Sequence, residues 1–311
     1  MACAQQPPVI RVPVRLVSVP ALVFSADGRL VNGLQASDFR LLDNGRAQKL
    51  TLDTEPNAIS IAIVAQTNRE VREYLAFIAR TGSLIDALLA GENGEAALVT
   101  CNDEVKVAKA FEAGDLSAAM KGLSADGMGS RMLDAAARAI DLLRQRPASH
   151  ARVLLLIGQP MDGGSETKLD ALRELVEQES VTVFALVLPE MGKAFVSDTF
   201  SLEGLSSRLD RGGYRAGTDL KNLVTVLDRA AAAQQGADPF SVLTAAAGGT
   251  QIHFRKQKEL EGALAAVGTQ LRSAYVLSFT PDEREAGYHT ITVAVGASGA
   301  RVYARPGYWL R

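Results

Sequence analysis

Cysteine is nearly absent from this chain: there are two in 311 residues, Cys3 and Cys101. So few exclude a disulfide framework and any cysteine-based zinc site. Cys101 closes the apolar run "AALVTC" and reads as a small buried hydrophobe. Aromatic residues make up only 5%, with one tryptophan, Trp309. That excludes a stacking platform for carbohydrate or single-stranded nucleic acid. An excess of one charge is also missing, with Lys plus Arg at 33 against Asp plus Glu at 35. No basic block occurs, so nothing points to nucleic acid or to an anionic membrane. No apolar run reaches the roughly 18 residues of a spanning helix. Histidines number three, His150, His253 and His289. None pairs at metal-ligand spacing and none lies in a recognisable triad motif, so no enzyme chemistry is expected. The Gly-rich stretches 127–130 and 163–167 match neither a phosphate loop nor a dinucleotide fingerprint, and no cofactor is implied.

What is present is a core. Apolar residues are 47% of the chain, ample for one large domain or two ordinary ones. Residues 9–56 alternate apolar and polar positions between turns, with Asp27-Gly28 and Asn44-Gly45 as hairpin signals. Pro13 and Pro20 suggest edge strands or bulges there. From residue 57 to 273 strands and helices alternate. A strand at 58–65 leads into a helix at about 69–90. Two continuous apolar runs, "ARVLLLIG" and "VTVFALVL", read as strands covered on both faces. Such alternation means a parallel sheet wound with helices on both sides. Residues 274–311 turn all-β again, with three expected strands. Three strands alone are marginal. The economical arrangement joins both chain ends into one small all-β domain, with the doubly wound α/β domain inserted between them. Residues 1–8 are set apart: Ala2-Cys3-Ala4 fits the end of a secretory signal, so an exported protein is expected.

The flanking motifs carry a resemblance. They are the Leu34…Asp38-Phe39…Asp43-Asn44-Gly45…Gln48 spacing, Tyr275-Val276-Leu277 and the terminal Arg305-Pro306-Gly307-Tyr308. With "AAAGGTQIHF" they resemble the von Willebrand factor A-related proteins of acidobacteria, over nearly the whole chain. The resemblance implies a doubly wound α/β domain, export, and a metal-ion-dependent adhesion site at the carboxyl edge of the sheet. That site would be Asp-x-Ser-x-Ser after the first strand, a Thr from a second loop and an Asp after a later strand. Mg²⁺ suits such a set, because it takes oxygen ligands in near-octahedral geometry.

Matched loop by loop, this sequence departs from the pattern. Ala65 falls on the first Asp, Thr67 on the first Ser and Arg69 on the second. Ser130 falls on the Thr and Gln159 on the last Asp. Both carboxylates are lost and a cation is gained. At ~4 Å and an effective dielectric near 20, each charge of a dication against Arg costs about 4 kcal/mol. A metal-independent site is therefore expected, with Asp162, Asp126 and Asp103 as acids that could stand in. The ordinary role of each is a turn or a cap. Two readings of the loop stay open. In one, Arg69 is a solvated first-turn residue paired with Glu73. In the other, Thr67, Asn68, Arg69, Ser130 and Gln159 take a protein partner's acidic side chain, which Arg can fork bidentately. Ser130 and Thr167 also read as helix N-caps. The irregular segment 190–217, with Phe195, Phe200, Leu202 and Leu205, could reach the same edge or pack on itself. The functional expectation is a non-enzymatic protein-interaction module. The alternatives are a structural subunit with an inert α/β face, or metal-dependent adhesion through the substitute acids.

Overall fold

The computed structural model describes residues 16–53, 58–86, 94–112, 114–147, 149–188, 238–253, 257–282, 285–296 and 299–310. The expected signal remnant, Pro13 and the 190–217 segment lie outside the described residues.

Six strands form the central sheet: β5 (Ile59–Gln66), β6 (Glu95–Cys101), β7 (Val105–Lys109), β8 (Ala151–Gly158), β9 (Thr182–Val187) and β10 (Gln251–His253). Their order is β10-β9-β8-β5-β6-β7, parallel except for the β6–β7 edge pair. The central strands β5 and β8 are buried on both faces, which their continuous apolar runs require. Successive residues feed opposite cores. Ile61, Ile63, Val153 and Leu155 pack on one side. Ala62, Val64, Leu154 and Leu156 pack on the other.

Helices cover both sides. On the first lie α1 (Arg72–Arg80), α2 (Gly82–Ile85), α3 (Leu116–Lys121) and α7 (Gln257–Ser273). On the second lie α4 (Met132–Arg144), α5 (Leu169–Gln178) and α6 (Pro239–Ala247). The single helix expected at 69–90 is broken. It begins as a 3₁₀ turn at Arg69–Val71 and is interrupted at Thr81, whose hydroxyl donates to the Ile78 carbonyl at 2.7 Å. A local side-chain bond of this kind competes with the helical ladder.

Both chain ends contribute strands to two further sheets. One has the order β13-β1-β11-β4 and the other β14-β12-β2-β3. Here β1 is Val17–Phe24, β2 Phe39–Asp43, β3 Arg46–Ala47 and β4 Thr51–Asp53. From the C-terminal end come β11 (Tyr275–Phe279), β12 (Gly287–Val295), β13 (Arg301–Ala304) and β14 (Gly307–Leu310). All their pairings are antiparallel. Val19, Leu41, Leu277, Phe279 and Ile291 share one core between the two sheets, as in a sandwich. The β2–β3 hairpin turns at Asn44-Gly45, both at positive φ, as a type I′ turn demands. The C-terminal part holds four strands where three were expected, because Arg305-Pro306 splits the last run. Pro20, expected at an edge or bulge, lies in β1, which has neighbours on both sides. The β13 ladder starts only at Ala21, so Pro20 has one paired neighbour instead of two.

The sandwich and the α/β unit are bonded together. Arg305 is buried and donates to Ser180 Oγ at 2.8 Å and to the Ser18 carbonyl at 2.9 Å. Burial pulls its guanidinium down to about 10. The Trp309 indole donates to Glu177 Oε2 at 3.0 Å. Inside the sandwich, the Asp43 carboxylate accepts from the Tyr308 hydroxyl and lies 2.9 Å from His289 Nδ1. His289 Nε2 lies 2.9 Å from the Glu285 carbonyl, so both ring nitrogens are engaged in the core.

Candidate functional site

In this sheet the chain leaves β5 toward β6 on one side and later returns to β8 on the other. The crevice at the carboxyl ends of β5 and β8 is the topological switch point, where open α/β sheets bind ligands. Among the described residues four segments rim it: the β5–α1 turn, the β6–β7 turn, the loop into α4, and the loop after β8.

The crevice is filled by an amide network. Gln66, the last residue of β5, is fully buried. Its Oε1 accepts from the Gln159 N–H at 2.7 Å and its Nε2 donates to Asn68 Oδ1 at 3.0 Å. Asn68 Nδ2 donates to the Met128 carbonyl at 3.3 Å. Gly158 is glycine for a reason, since a Cβ there would meet Gln66 Oε1 and Met132 Cε, both at 2.8 Å.

This geometry corrects the loop matching by one residue. The side chains that reach the crevice are Gln66 and Asn68, not Ala65 and Thr67. Ala65 is buried inside β5. Thr67 turns sideways, its hydroxyl donating to the Cys101 carbonyl at 3.2 Å. Arg69 points outward with its side chain 59% exposed, 3.9 Å from the 82%-exposed Asp126. The ion pair expected between Arg69 and Glu73 is thus replaced by a loose contact with Asp126. In the corrected register Glu70 falls on the second Ser position. The five matched side chains then carry −1 instead of +1, against −2 for the usual set.

Ser130 and Gln159 do lie at the crevice. Residue 130 bridges Gly163 through paired backbone hydrogen bonds of 3.1 and 2.8 Å. Its side chain is not the N-cap of α4 that the sequence suggests; Arg131 holds that position, and Lys168 holds it for α5. Ser130 Oγ and Gln159 Oε1 are buried without a hydrogen-bond partner, in residues 5% and 6% exposed.

The three substitute acids are engaged elsewhere. Asp103 accepts from the Gly129 N–H at 2.6 Å and the Met128 N–H at 3.2 Å. A Cβ at Gly127 or Gly129 would collide with it, which accounts for "GMG". Asp126 accepts from the Gly127 N–H at 2.8 Å. Asp162 accepts from the Leu133 N–H at 2.9 Å and so caps α4 from another loop. The donor set therefore fits a divalent ion poorly. The Gln66 and Asn68 amide oxygens are bonded to neighbouring N–H groups, only Gln159 Oε1 and Ser130 Oγ are free, the three substitute acids hold backbone, and among the described residues no three His, Cys, Asp or Glu converge.

Sequence reasoning missed Asp134. It accepts from the Glu166 N–H at 3.2 Å, the Thr167 N–H at 2.9 Å and Arg131 Nε at 2.8 Å. Burial pushes its carboxyl up, but hydrogen bonds from Thr167, Arg131 and Glu166 outweigh it and bring the group down to about 2. Asp134 thus ties the loop after β8 to α4. An acid in the first turn of a helix was its only signal.

A second constellation lies at the opposite, amino edge. Ser60 Oγ donates to Glu95 Oε1 at 2.6 Å and lies 2.9 Å from His150 Nδ1. His150 lacks a local acid in sequence, yet folding places Glu95 at 3.3 Å. Arg146 grips both Glu95 oxygens at 2.7 Å. The carboxylate accepts from the serine, and Ser60 itself is fully buried inside β5. His253 closes β10, and burial pulls its imidazole down. Cys101 is buried as expected, and burial, with Asp162 adding to it, pushes its thiol up to about 12.

The rim itself is exposed and partly apolar. Met128 is 64% and Met161 51% exposed, two of the large hydrophobics that face solvent. A cleft of about 490 Å³ opens between β7 and the 122–126 segment, lined by Thr67, Asn102, Lys106, Leu123 and Asp126 among others. No helix among the described residues is long and apolar enough to cross a membrane.

No protein-family model and no curated protein matches the chain. Among solved structures, it is similar to the conserved hypothetical protein BatB from Bacteroides thetaiotaomicron. That likeness has 11% identity and a TM-score of 0.45, over 68% of this chain and 98% of the other. It is also similar to the vWF domain of the type V pili tip protein Mfa5 from Porphyromonas gingivalis, at 14% identity and a TM-score of 0.30, over 33% and 38%. A third is proximal thread matrix protein 1 from the mussel byssus, at 10% and 0.45, over 75% and 51%. The last two are matched over less than two thirds of their own length. None reaches a TM-score of 0.5, and the α/β architecture is read here from the sheet order.

Proposed function

We propose that the chain is an exported, non-enzymatic protein-interaction module of the von Willebrand factor A type. In this reading the doubly wound unit is inserted into the sandwich built from both chain ends, and the carboxyl-edge rim contacts the partner without a metal ion. The observation that carries it is the rim: two exposed methionines held on loops that Asp103, Asp134 and Asp162 fasten to the sheet. Methionine is common on surfaces that accept partners, and its flexible side chain repacks against different occupants. The amide network argues for metal independence, because it fills the crevice where ligating oxygens would converge. The Ala2-Cys3-Ala4 stretch supports export.

A photo-cross-linking residue placed at 128, at 161, or at the exposed Lys49 of the sandwich tests this reading in source-cell extract. The expected result is cross-links to one partner from 128 and 161 in chelator, and none from 49. Cross-links from 49 alone would favour a structural subunit with an inert α/β face. Cross-links from the rim that vanish in chelator would restore metal-dependent adhesion.

A further inference from the structure

The rim is chemically one-sided. The four segments 66–70, 102–106, 124–134 and 159–168 hold seven Asp or Glu and four Lys or Arg, a net −3 where the whole chain carries −2. Among the described residues, these rim segments are therefore more acidic than the chain as a whole. Arg69 does not reverse this, since it stands outward against Asp126 and not over the crevice. Beneath the rim lie two oxygens without partners, Gln159 Oε1 and Ser130 Oγ. The amide oxygen is an acceptor only and the hydroxyl can accept. A buried acceptor left unpaired costs about 1–3 kcal/mol, so a donor arriving there is favoured. Each orphan sits two residues from an exposed methionine, Ser130 from Met128 and Gln159 from Met161.

Apolar flanks, negative field and unpaired acceptors together specify a ligand. Resting on the interaction reading above, we infer that the rim takes a protein segment bearing a lysine flanked by apolar side chains. Lysine suits the place better than arginine. Its four-carbon stem passes between apolar side chains while its compact ammonium brings three donors to the end. The flanking apolar residues lie on Met128 and Met161. The acidic rim steers the approach and sets a salt-dependent on-rate. The polarity is opposite to that expected from Arg69 alone, which would call for a partner carboxylate.

A peptide array tests the assignment, using the full chain and cores in which Lys, Arg, Gln, Glu or Asp stands between two leucines. The expected order is Lys first, Arg weaker, Gln weaker still, and the acids silent. Binding to the Lys core should fall several-fold between low and physiological salt. Two variants at exposed or half-exposed rim positions keep the test independent of folding: Asp126→Lys should reduce Lys-core binding several-fold, and Met128→Ser should weaken all cores alike. A preference for Glu or Asp, or equal binding of all five, would overturn the inference. Silence of every peptide while rim cross-links persist would also overturn it, yet leave the interaction reading in place. Loss of both would remove the two together.

Discussion

Asp134 is the residue on which the rim's rigidity turns most. Its carboxyl lies at about 2 in the folded chain, below the ordinary value near 3.9. A depressed carboxylate contributes stability above the unfolded value and loses it as pH falls through the folded one. The expected acid limb therefore runs from about pH 4 down to about pH 2. Asp134→Asn should cost about 2 kcal/mol at neutral pH and flatten that limb, as urea melts at stepped pH would show. Gln66 is the second such residue. Gln66→Ala leaves the buried Gln159 N–H unpaired and opens a void, so a loss of about 2–3 kcal/mol is expected in denaturant titration. Neither role was legible in sequence, because a loop residue's partners lie on other loops. Gln66 ends an apolar strand and Asp134 opens a helix, and nothing nearby names the N–H groups they serve. The one-residue offset has the same origin. Strand periodicity places a face but not the residue at which the strand stops, and a shift of one exchanges Thr67 for Asn68.

Among elements, those with strong periodicity or continuous burial were readable from sequence. The runs at β8 and β9 match their expected bounds within about two residues. Asn44-Gly45 marks its hairpin through local φ requirements alone. What was not legible depended on distant contacts. The break in the first helix at Thr81 follows from a hydroxyl bond that competes with helix continuation. The N-terminus of α4 is capped by Asp162 from another loop, so Ser130 is released from the capping role its type suggests. The Gly248-Gly249 pair belongs to both kinds. Its turn is visible in sequence, and Gly248 takes φ 72 at the end of α6. Yet the reason for the second glycine is a neighbour far along the chain. A Cβ at 249 would overlap the Val183 carbonyl of β9. Gly249→Ala should therefore displace β10 from β9 and cost about 3 kcal/mol, read as a lowered denaturation midpoint with the far-ultraviolet spectrum retained.

Among the described residues, polar contacts that join the sandwich and the α/β unit include those of Arg305 and Trp309. Arg305 is a buried cation holding Ser180 and the Ser18 carbonyl, and removing such a partner leaves buried acceptors exposed to the loss. Arg305→Met is expected to split a single calorimetric transition into two, the sandwich melting first. One shared transition in the variant would show that the joint lies elsewhere. This joint fixes the amino end of the α/β sheet, where Ser180 precedes β9. The central claim, that the rim works without a metal ion, is tested most directly by titrating Mg²⁺ and Mn²⁺ into the full chain by calorimetry, beside melts with and without chelator. A metal-free rim gives no saturable heat and the same melting temperature in every buffer. A one-site isotherm with a raised melting temperature would contradict it, and would mean that Asp103, Asp126 or Asp162 releases its backbone N–H to bind the ion.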